Sequence, residues 1–288
     1  MNLIVLPVDG LARVVRAVRR AKESVLVTIF RCDLPEIEKA LADAVARGVT
    51  VRALIAENNR TGEKQLRKLE LRLLEDGITV SRTADDLVRY HDKFIVIDQH
   101  LLFVLGFNFT KREISKRRSM GIITRKRSLV AEALSLFEAD ATRQAFTSTA
   151  PDLVISPINA RARLEKLLTK TKSSLRIYDP GVTDGPMLRL LKKKADSGVD
   201  IRIIGKVGRA GSGLRVEKLP ELDVHVRAIL RDDSELFLGS QGFRTLELDR
   251  RREVGIIVRD RVAIKRFREV FDEDWATTDA GRDEREAA

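Results

Sequence analysis

The sequence predicts an α/β protein built from two α/β/α repeats, related by a pseudo-two-fold axis and containing mixed, largely parallel sheets. Short apolar runs alternate with stretches of helical periodicity, which is typical of layered α/β folds. His91 and His225 are 134 residues apart, and the glycine-containing segments around Gly121 and Gly255 keep the same offset. A constant offset between matching segments indicates an internal duplication.

The first repeat is expected to span residues 1–150. Pro35 suits the first turn of a helix and Gly48 suits the position after its last turn. In chain order we predict a strand at the N-terminus, a helix over 11–22, a strand over 25–30, a helix between Pro35 and Gly48, a strand over 51–56, a helix over 65–75, and strands over 78–81, 93–98 and 101–105.

The second repeat is expected to span residues 151–278. The elements predicted for it are helices over 160–168 and 187–195 and strands over 175–178 and 199–204. It has no counterpart of the helix over 65–75 and carries a glycine-rich loop at 208–213, which lacks the Lys-Ser/Thr ending of a P-loop. Residues 279–288 are charged and lack apolar periodicity, so they are predicted to form a disordered tail.

The composition limits the class of partner. Lys plus Arg number 54 against 43 Asp plus Glu, and the net charge of +11 favours polyanions, either nucleic acid or an anionic membrane surface. Aromatic residues make up 5% of the chain, which argues against a stacking platform for single-stranded nucleic acid.

The N-terminus does not resemble a signal peptide, so a cytoplasmic location is expected, with peripheral association at the inner face of the membrane left open. The single cysteine, Cys32, excludes an internal disulfide framework.

The candidate site begins at His91, which is followed by Lys93, Asp98 and Asn108. Alternate residues of a strand project to one face, so His91 and Lys93 are expected to lie side by side. A neutral imidazole can attack phosphorus, a lysine can neutralise phosphate oxygens, and the Asn108 amide can orient the same phosphate. Asp98 is expected to support the strand rather than take part in chemistry.

An altered copy of this pattern contains His225, Arg227 and Asp232. A pseudo-two-fold axis would set the two imidazoles opposite each other, so that one forms a phosphohistidine while the other acts as acid and base. No metal or other cofactor is expected, because the cations and amide donors can stabilise the phosphate oxygens. Asp232, like Asp98, is expected to support the structure.

The paired pattern resembles the phospholipase D superfamily, whose motif is H-x-K-x4-D-x6-G-S-x-N, with two copies in each site. The first copy matches at His91, Lys93, Asp98 and Asn108. The second copy matches at His225, Asp232, Gly239 and Ser240, whereas Arg227 replaces the lysine and Gly242 replaces the asparagine. The resemblance covers both repeats and therefore nearly the whole chain.

The resemblance implies roles for individual residues. In the family, an acidic residue after the G-S-x-N segment orients a histidine, often that of the opposite half. Glu253 stands at this place and would serve His91, whereas Ser119 stands at the equivalent place in the first repeat and leaves His225 without its carboxylate. We therefore expect His91 to be the nucleophile and His225 the acid and base. Substrate contacts are expected from Lys93, Asn108, Arg227, Ser240 and Gln241.

The resemblance implies a metal-independent phosphodiesterase or phosphatidyltransferase acting on a phosphodiester substrate. A phospholipid is favoured, because family members with two motifs in one chain are frequently lipid enzymes, including cardiolipin synthases. A nuclease is the first alternative, supported by the positive net charge. A non-catalytic phosphate or nucleic-acid binder is the second, since Arg227 and Gly242 depart from the motif. The sequence leaves open the acceptor, water or alcohol, and the oligomeric state.

Overall fold

The computed structural model describes residues 1–57 and 63–287. The strands of the first repeat are β1 (Asn2–Leu6), β2 (Ser24–Ile29), β3 (Thr50–Ile55), β4 (Thr79–Arg82), β5 (Arg89–Tyr90), β6 (Phe94–Ile97), β7 (Leu101–Leu105) and β8 (Arg117–Thr124). Its helices are α1 (Ala12–Arg19), α2 (Pro35–Ala46), α3 (Glu63–Glu75), α4 (Lys111–Lys116) and α5 (Arg127–Ala141).

The second repeat follows the same plan. Its strands are β9 (Leu153–Ser156), β10 (Ser174–Val182), β11 (Asp200–Val207), β12 (Arg215–Glu217), β13 (Asp223–Val224), β14 (Arg227–Arg231), β15 (Glu235–Gly239) and β16 (Arg251–Val258). Its helices are α6 (Ala160–Thr169), α7 (Gly185–Asp196), α8 (Thr245–Asp249), α9 (Arg261–Ala276) and α10 (Asp279–Glu286). A short 3₁₀ turn, Arg209–Gly211, stands in the place of α3.

The two sheets have equivalent strand orders. The first runs β1-β8-β7-β6-β2-β3-β4, and the second runs β9-β16-β15-β14-β10-β11-β12. This equivalence confirms the predicted duplication. Both sheets are mixed, as predicted, but the expectation that they are largely parallel is wrong. Strands β2, β3 and β4 pair in parallel, whereas β6, β7, β8 and β1 form antiparallel pairs.

Asp98 and Asp232 lie in the tight turns of two equivalent hairpins. Each of them, and the residue after it, has a positive φ of 47–53°, as the two central residues of a type I′ turn do, and each turn is part of a three-residue hairpin loop. The Asp98 carboxylate accepts the backbone N–H groups of residues 22–24 at 2.8–3.1 Å. Asp232 accepts those of residues 172–174 at the same distances. Both aspartates therefore join a hairpin to the start of the neighbouring strand.

One hydrophobic core is shared by the two repeats. It contains the inward faces of both sheets together with α5 and α9, including Phe137, Phe267 and Phe271. Two further cores lie on the outer faces of the sheets, one beneath α1, α2 and α3 and the other beneath α6 and α7. Because the central core draws on both repeats, neither repeat buries its inner face without the other.

The predicted disordered tail over 279–288 is corrected by the structure. Residues Asp279–Glu286 form α10, whose first turn is capped by Thr278 Oγ1, which accepts the N–H of Gly281 at 3.2 Å. Gly281 is buried against the backbone of Trp275, where a Cβ would lie 2.0 Å from the Trp275 carbonyl oxygen. Apolar periodicity is absent because this helix contacts the protein through Ala280, Gly281 and the ion pairs of Glu284 with Arg202 and Arg215. Ala288 lies outside the described residues.

Within the described ranges, no helix combines the length and apolarity that a membrane crossing requires.

Candidate active site

Each candidate histidine follows a short strand that pairs with the sheet of the opposite repeat. Strand β5 precedes His91 and pairs in parallel with β16, and the His91 N–H donates to Arg252 O at 2.8 Å. Strand β13 precedes His225 and pairs with β8, and the His225 N–H donates to Arg118 O at 3.1 Å. This exchange of strands brings each imidazole beside the side chains of the other repeat.

His91 is held by Glu253. Its Nδ1 lies 2.8 Å from Glu253 Oε2 and 3.1 Å from Oε1. The carboxylate is fully buried, and the edge of the Phe30 ring packs against the imidazole with 4.6 Å between ring centroids. The structure thus places Glu253 where the resemblance expects it. Because Nδ1 is engaged by the carboxylate, Nε2 is the nitrogen of His91 that remains for chemistry.

His225 has a carboxylate partner as well, so the expectation that it lacks one is wrong. Glu113 of α4 is fully buried, and its Oε2 lies 3.2 Å from His225 Nδ1, at ion-pair distance although not aligned for a hydrogen bond. Glu113 also accepts hydrogen bonds from Arg117 at 2.7 Å, Ser119 at 3.0 Å and Asn108 at 3.3 Å. Ser119, at the position equivalent to Glu253, therefore helps to hold the carboxylate instead of supplying it.

Comparison with known proteins shows the family of this chain. A family model described as "Cardiolipin synthase, PLD-like domain" matches residues 14–141 and again residues 164–275. The chain belongs to this phospholipase D-like family. No curated protein sequence matches the chain.

Several solved structures are similar to this phospholipase D-like chain. A polyphosphate kinase from Porphyromonas gingivalis has a TM-score of 0.79 and 18% identity over 95% of this chain, which spans half of the kinase's length (50%). A phosphatidylserine synthase from Haemophilus influenzae Rd KW20 has a TM-score of 0.69 and 13% identity, covering 93% of this chain and 85% of the synthase. At these identities the likeness shows the fold alone.

The basic residues of the phospholipase D-like motifs lie at equivalent places but have different partners. Lys93 is buried, donates to His91 O and lies with its Nζ 5.6 Å from the Phe30 ring centroid. Arg227 likewise donates to His225 O at 2.8 Å, but it also makes two hydrogen bonds to Glu247, at 3.0 and 3.3 Å. The charge of Arg227 is thus largely neutralised within the protein.

Gly242 stands where the family has asparagine because another side chain fills that space. A Cβ at Gly242 would lie 2.5 Å from Asp179 Oδ2 and 2.9 Å from Arg227 Cγ. The Asp179 carboxylate is buried and accepts the N–H groups of Gly181 and Phe243, both at 2.8 Å. The second half of the site therefore contains a carboxylate where the first half presents the amide of Asn108.

Two predicted substrate contacts are corrected. Ser240 is buried, and its hydroxyl accepts the Val254 N–H at 3.1 Å and lies 3.3 Å from Val254 O, so it supports the strand that carries Glu253. Gln241 is fully buried and donates Nε2 to Val154 O at 2.9 Å, which directs it into the sheet interior. Neither side chain is placed to contact a substrate.

Sequence reasoning missed Glu113, although a signal for it was present. Glu113 and Glu247 are separated by the same 134 residues as the histidines. An alignment of the two repeats would have singled out this pair of glutamates. It would not have shown their different partners, since Glu113 faces His225 of the other repeat and Glu247 faces Arg227 of its own.

The surroundings of the histidines favour different protonation states. Burial, followed by the charges of Lys93 and Arg227, holds the pKa of His91 well below its usual range. Burial also lowers the pKa of His225, but the nearby carboxylate of Glu113 opposes this. Burial by itself would raise the pKa of Glu113, but the interactions with His225 and Arg117 lower it to about 2. His91 is therefore neutral, while His225 faces a carboxylate that stays ionised.

Lys93 and Glu253 also titrate away from their usual ranges. Burial lowers the pKa of Lys93 to about 8. Burial and the charge of Glu247 raise the pKa of Glu253 to about 7. In the described part of the chain, no group of three or more His, Cys, Asp or Glu side chains is arranged to hold a metal ion.

A cleft of about 490 Å³ opens beside His225. It lies against the ends of β11, β12 and β13 and so belongs mainly to the second repeat. Its basic lining residues are Arg117, Lys206, Lys218, Arg227 and Arg244.

Proposed function

We propose that the protein is a metal-independent phosphodiesterase or phosphatidyltransferase that works through a phosphohistidine on His91. The observation that carries the proposal is the pair of histidines, each with a buried carboxylate from the opposite repeat at its Nδ1. A simple binding site for phosphate would not need two imidazoles oriented in this way. The proposal therefore favours catalysis over the non-catalytic binder.

In the first step the neutral Nε2 of His91 attacks phosphorus, and the bond from phosphorus to the departing oxygen breaks. Protonated His225 gives its proton to that oxygen, so an alcohol leaves. Lys93 binds the non-bridging oxygens by its positive charge, and Asn108 binds them through the donor group Nδ2, which lies 3.3 Å from Glu113 Oε1 in this structure. Glu253 accepts a hydrogen bond from the Nδ1–H of His91 and stabilises the positive charge that develops on the ring.

In the second step neutral His225 takes a proton from water or an alcohol, whose oxygen attacks phosphorus. The bond between nitrogen and phosphorus breaks, His91 is released neutral, and His225 is again protonated. Glu113 supports this role because its ionised carboxylate stabilises the His225 imidazolium. Both histidines have a carboxylate partner, so the roles of His91 as nucleophile and His225 as acid and base are supported instead by the different charges around the two rings.

We favour a phospholipid as the substrate, because the matching family is described as a cardiolipin synthase domain. The net charge of +11 supports peripheral association with an anionic membrane surface. It equally supports the nuclease alternative, so the experiment must separate the two.

The test is a product screen over phospholipid and nucleic-acid diesters in the presence of EDTA. We expect headgroup release or transfer from a phospholipid, with loss of turnover in His91→Ala. His100→Ala is the matched control, since His100 is exposed and its Nδ1 contacts Asp98 O in a turn. Cleavage of nucleic acid alone would identify a nuclease, and full activity in His91→Ala would overturn the mechanism. A phosphoenzyme trapped on His225 would reverse the two roles.

A further inference from the structure

The cleft beside His225 is larger than the transfer of one phosphate requires. The reacting phosphate is assigned to Lys93 and Asn108, which belong to the first repeat. The cleft is instead lined by His225 together with Lys206 at the end of β11, Lys218 after β12, and the residues of β13. Its volume of about 490 Å³ lies in the range of small-molecule sites.

The charges in this cleft are available to a ligand. Lys206 and Lys218 are exposed, and in the described ranges neither has a carboxylate at ion-pair distance. Arg244 is positioned by a hydrogen bond from its Nε to Gly181 O at 2.9 Å, and its NH1 is 3.8 Å from Glu247. Among the described lining residues the one acidic side chain is Asp223, which is paired with Arg112 at 2.7 Å.

The shape of the cleft suits a ligand with a carbon portion between two anionic groups. Leu219 and Leu222 are half-buried and line the cleft together with Pro180. An organic segment can pack on these apolar side chains while its far end reaches Lys206 and Lys218. Compact ammonium groups of this kind bind phosphate as point charges.

We infer that this cleft binds a second phosphate, carried by the departing group of the substrate. The substrate class is then a phosphodiester whose leaving alcohol is itself phosphorylated, rather than one with a neutral or cationic headgroup. His225 protonates the departing oxygen at the inner end of the cleft, and the second phosphate remains intact on the alcohol. The inference rests on the proposed function, because it assigns His225 to the departing side of the reaction.

Isothermal titration calorimetry tests the inference without turnover. The probes are thymidine 3′,5′-bisphosphate against thymidine 5′-monophosphate, and glycerol 1,3-bisphosphate against glycerol 3-phosphate. We expect a bisphosphate to bind about tenfold more tightly than its monophosphate, and the Lys206→Ala/Lys218→Ala double variant to abolish this ratio. A larger ratio for the thymidine pair indicates a nucleotide leaving group, and a larger ratio for the glycerol pair indicates a lipid headgroup.

The control is Lys39→Ala/Lys265→Ala, which removes the same charge from helices outside the cleft, where both lysines pair with neighbouring carboxylates. It should keep the wild-type ratio. Equal binding of bisphosphate and monophosphate would overturn the inference, as would a ratio that survives in Lys206→Ala/Lys218→Ala or falls equally in the control. These results differ from failure of the proposed function, which is the absence of diester turnover in the product screen.

Discussion

At the scale of single residues, the pairing of carboxylates with histidines distinguishes the two halves of the site. Glu253 shares a buried environment with His91, and burial raises its pKa to about 7. Glu113, in contrast, is surrounded by donors that lower its pKa to about 2. An ionised carboxylate stabilises an imidazolium, so the second histidine is the better proton donor.

Glu113→Gln should therefore impair proton transfer by His225. We expect kcat/KM for a diester with an alkyl leaving group to fall by about 10²-fold, the lower end of what positioned proton transfer contributes. A 4-nitrophenyl diester should lose much less, because 4-nitrophenolate departs without a proton. Ser119→Ala, which removes one hydrogen bond to Glu113, should cause a smaller loss. Equal losses with both leaving groups would show that Glu113 only maintains the structure.

The pKa of Lys93 predicts how kcat/KM depends on pH in the alkaline range. Its pKa is lowered to about 8, so the side chain is cationic below this pH and neutral above it. We expect kcat/KM for a 4-nitrophenyl diester, whose leaving group needs no proton from His225, to fall as pH rises through about 8. Lys93→Arg should move this fall to higher pH whatever its maximal rate, since a guanidinium stays charged. The exposed Lys39→Arg serves as control, and an unmoved profile in Lys93→Arg would assign the titration to another group.

At the scale of secondary-structure elements, short segments decide where the catalytic groups lie. Strands β5 and β13 have two residues each, yet they place His91 and His225 beside the opposite repeat. Helix α4 has six residues and delivers Glu113. Segments of this length carry too few residues for a periodic pattern, which is why sequence reasoning did not predict them.

Helix α10 has eight residues, so its stability depends on the N-cap at Thr278. Thr278 Oγ1 accepts from Gly281 N, and the hydroxyl also donates to Trp275 O at 2.6 Å. Thr278→Ala should lower the free energy of unfolding by about 1 kcal/mol and increase amide exchange over Asp279–Glu286. Thr147→Ala, at an exposed position without secondary structure, should change neither quantity. If the amides of Asp279–Glu286 exchange in the wild-type protein as fast as those of an unfolded chain, the presence of helix α10 would be contradicted.

At the scale of the whole molecule, two equivalent ion pairs join the repeats. Arg118 of β8 makes two hydrogen bonds of 2.7 Å to Asp274 of α9. Arg252 of β16 makes two, at 3.0 and 2.9 Å, to Asp140 of α5. Arg252 pairs with β5 and Arg118 pairs with β13, the strands that precede the two histidines, so these ion pairs and the active site depend on the same packing of the two sheets.

Asp140→Asn should be strongly destabilising because it removes the carboxylate that is hydrogen-bonded to the buried Arg252. We expect a loss of about 3–5 kcal/mol in the free energy of unfolding, measured by urea denaturation. Glu138→Gln is the matched control, since Glu138 pairs with Arg52 at the surface and should cost at most about 1 kcal/mol. A similar small effect from both substitutions would mean that the pair between the repeats contributes little.

Much of the architecture followed from the sequence because its patterns are local. Periodicity indicated the long helices and strands, and the constant offset between His91 and His225 indicated the duplication. The same offset identified Arg227 and Gly242 as departures from the motif. Each of these statements compares residues along the chain and needs no knowledge of what lies across from them.

The tertiary structure decided which side chains complete the site. Glu113 serves His225, Arg227 is neutralised by Glu247, and Asp179 occupies the space that an asparagine at position 242 would need. These contacts join residues from different elements or from different repeats, so they arise only in the folded protein. The repeats share one strand order because hydrogen bonds between backbone groups tolerate changes of side chain. The two halves of the site differ because a buried charge requires a partner, and the partners differ between the repeats.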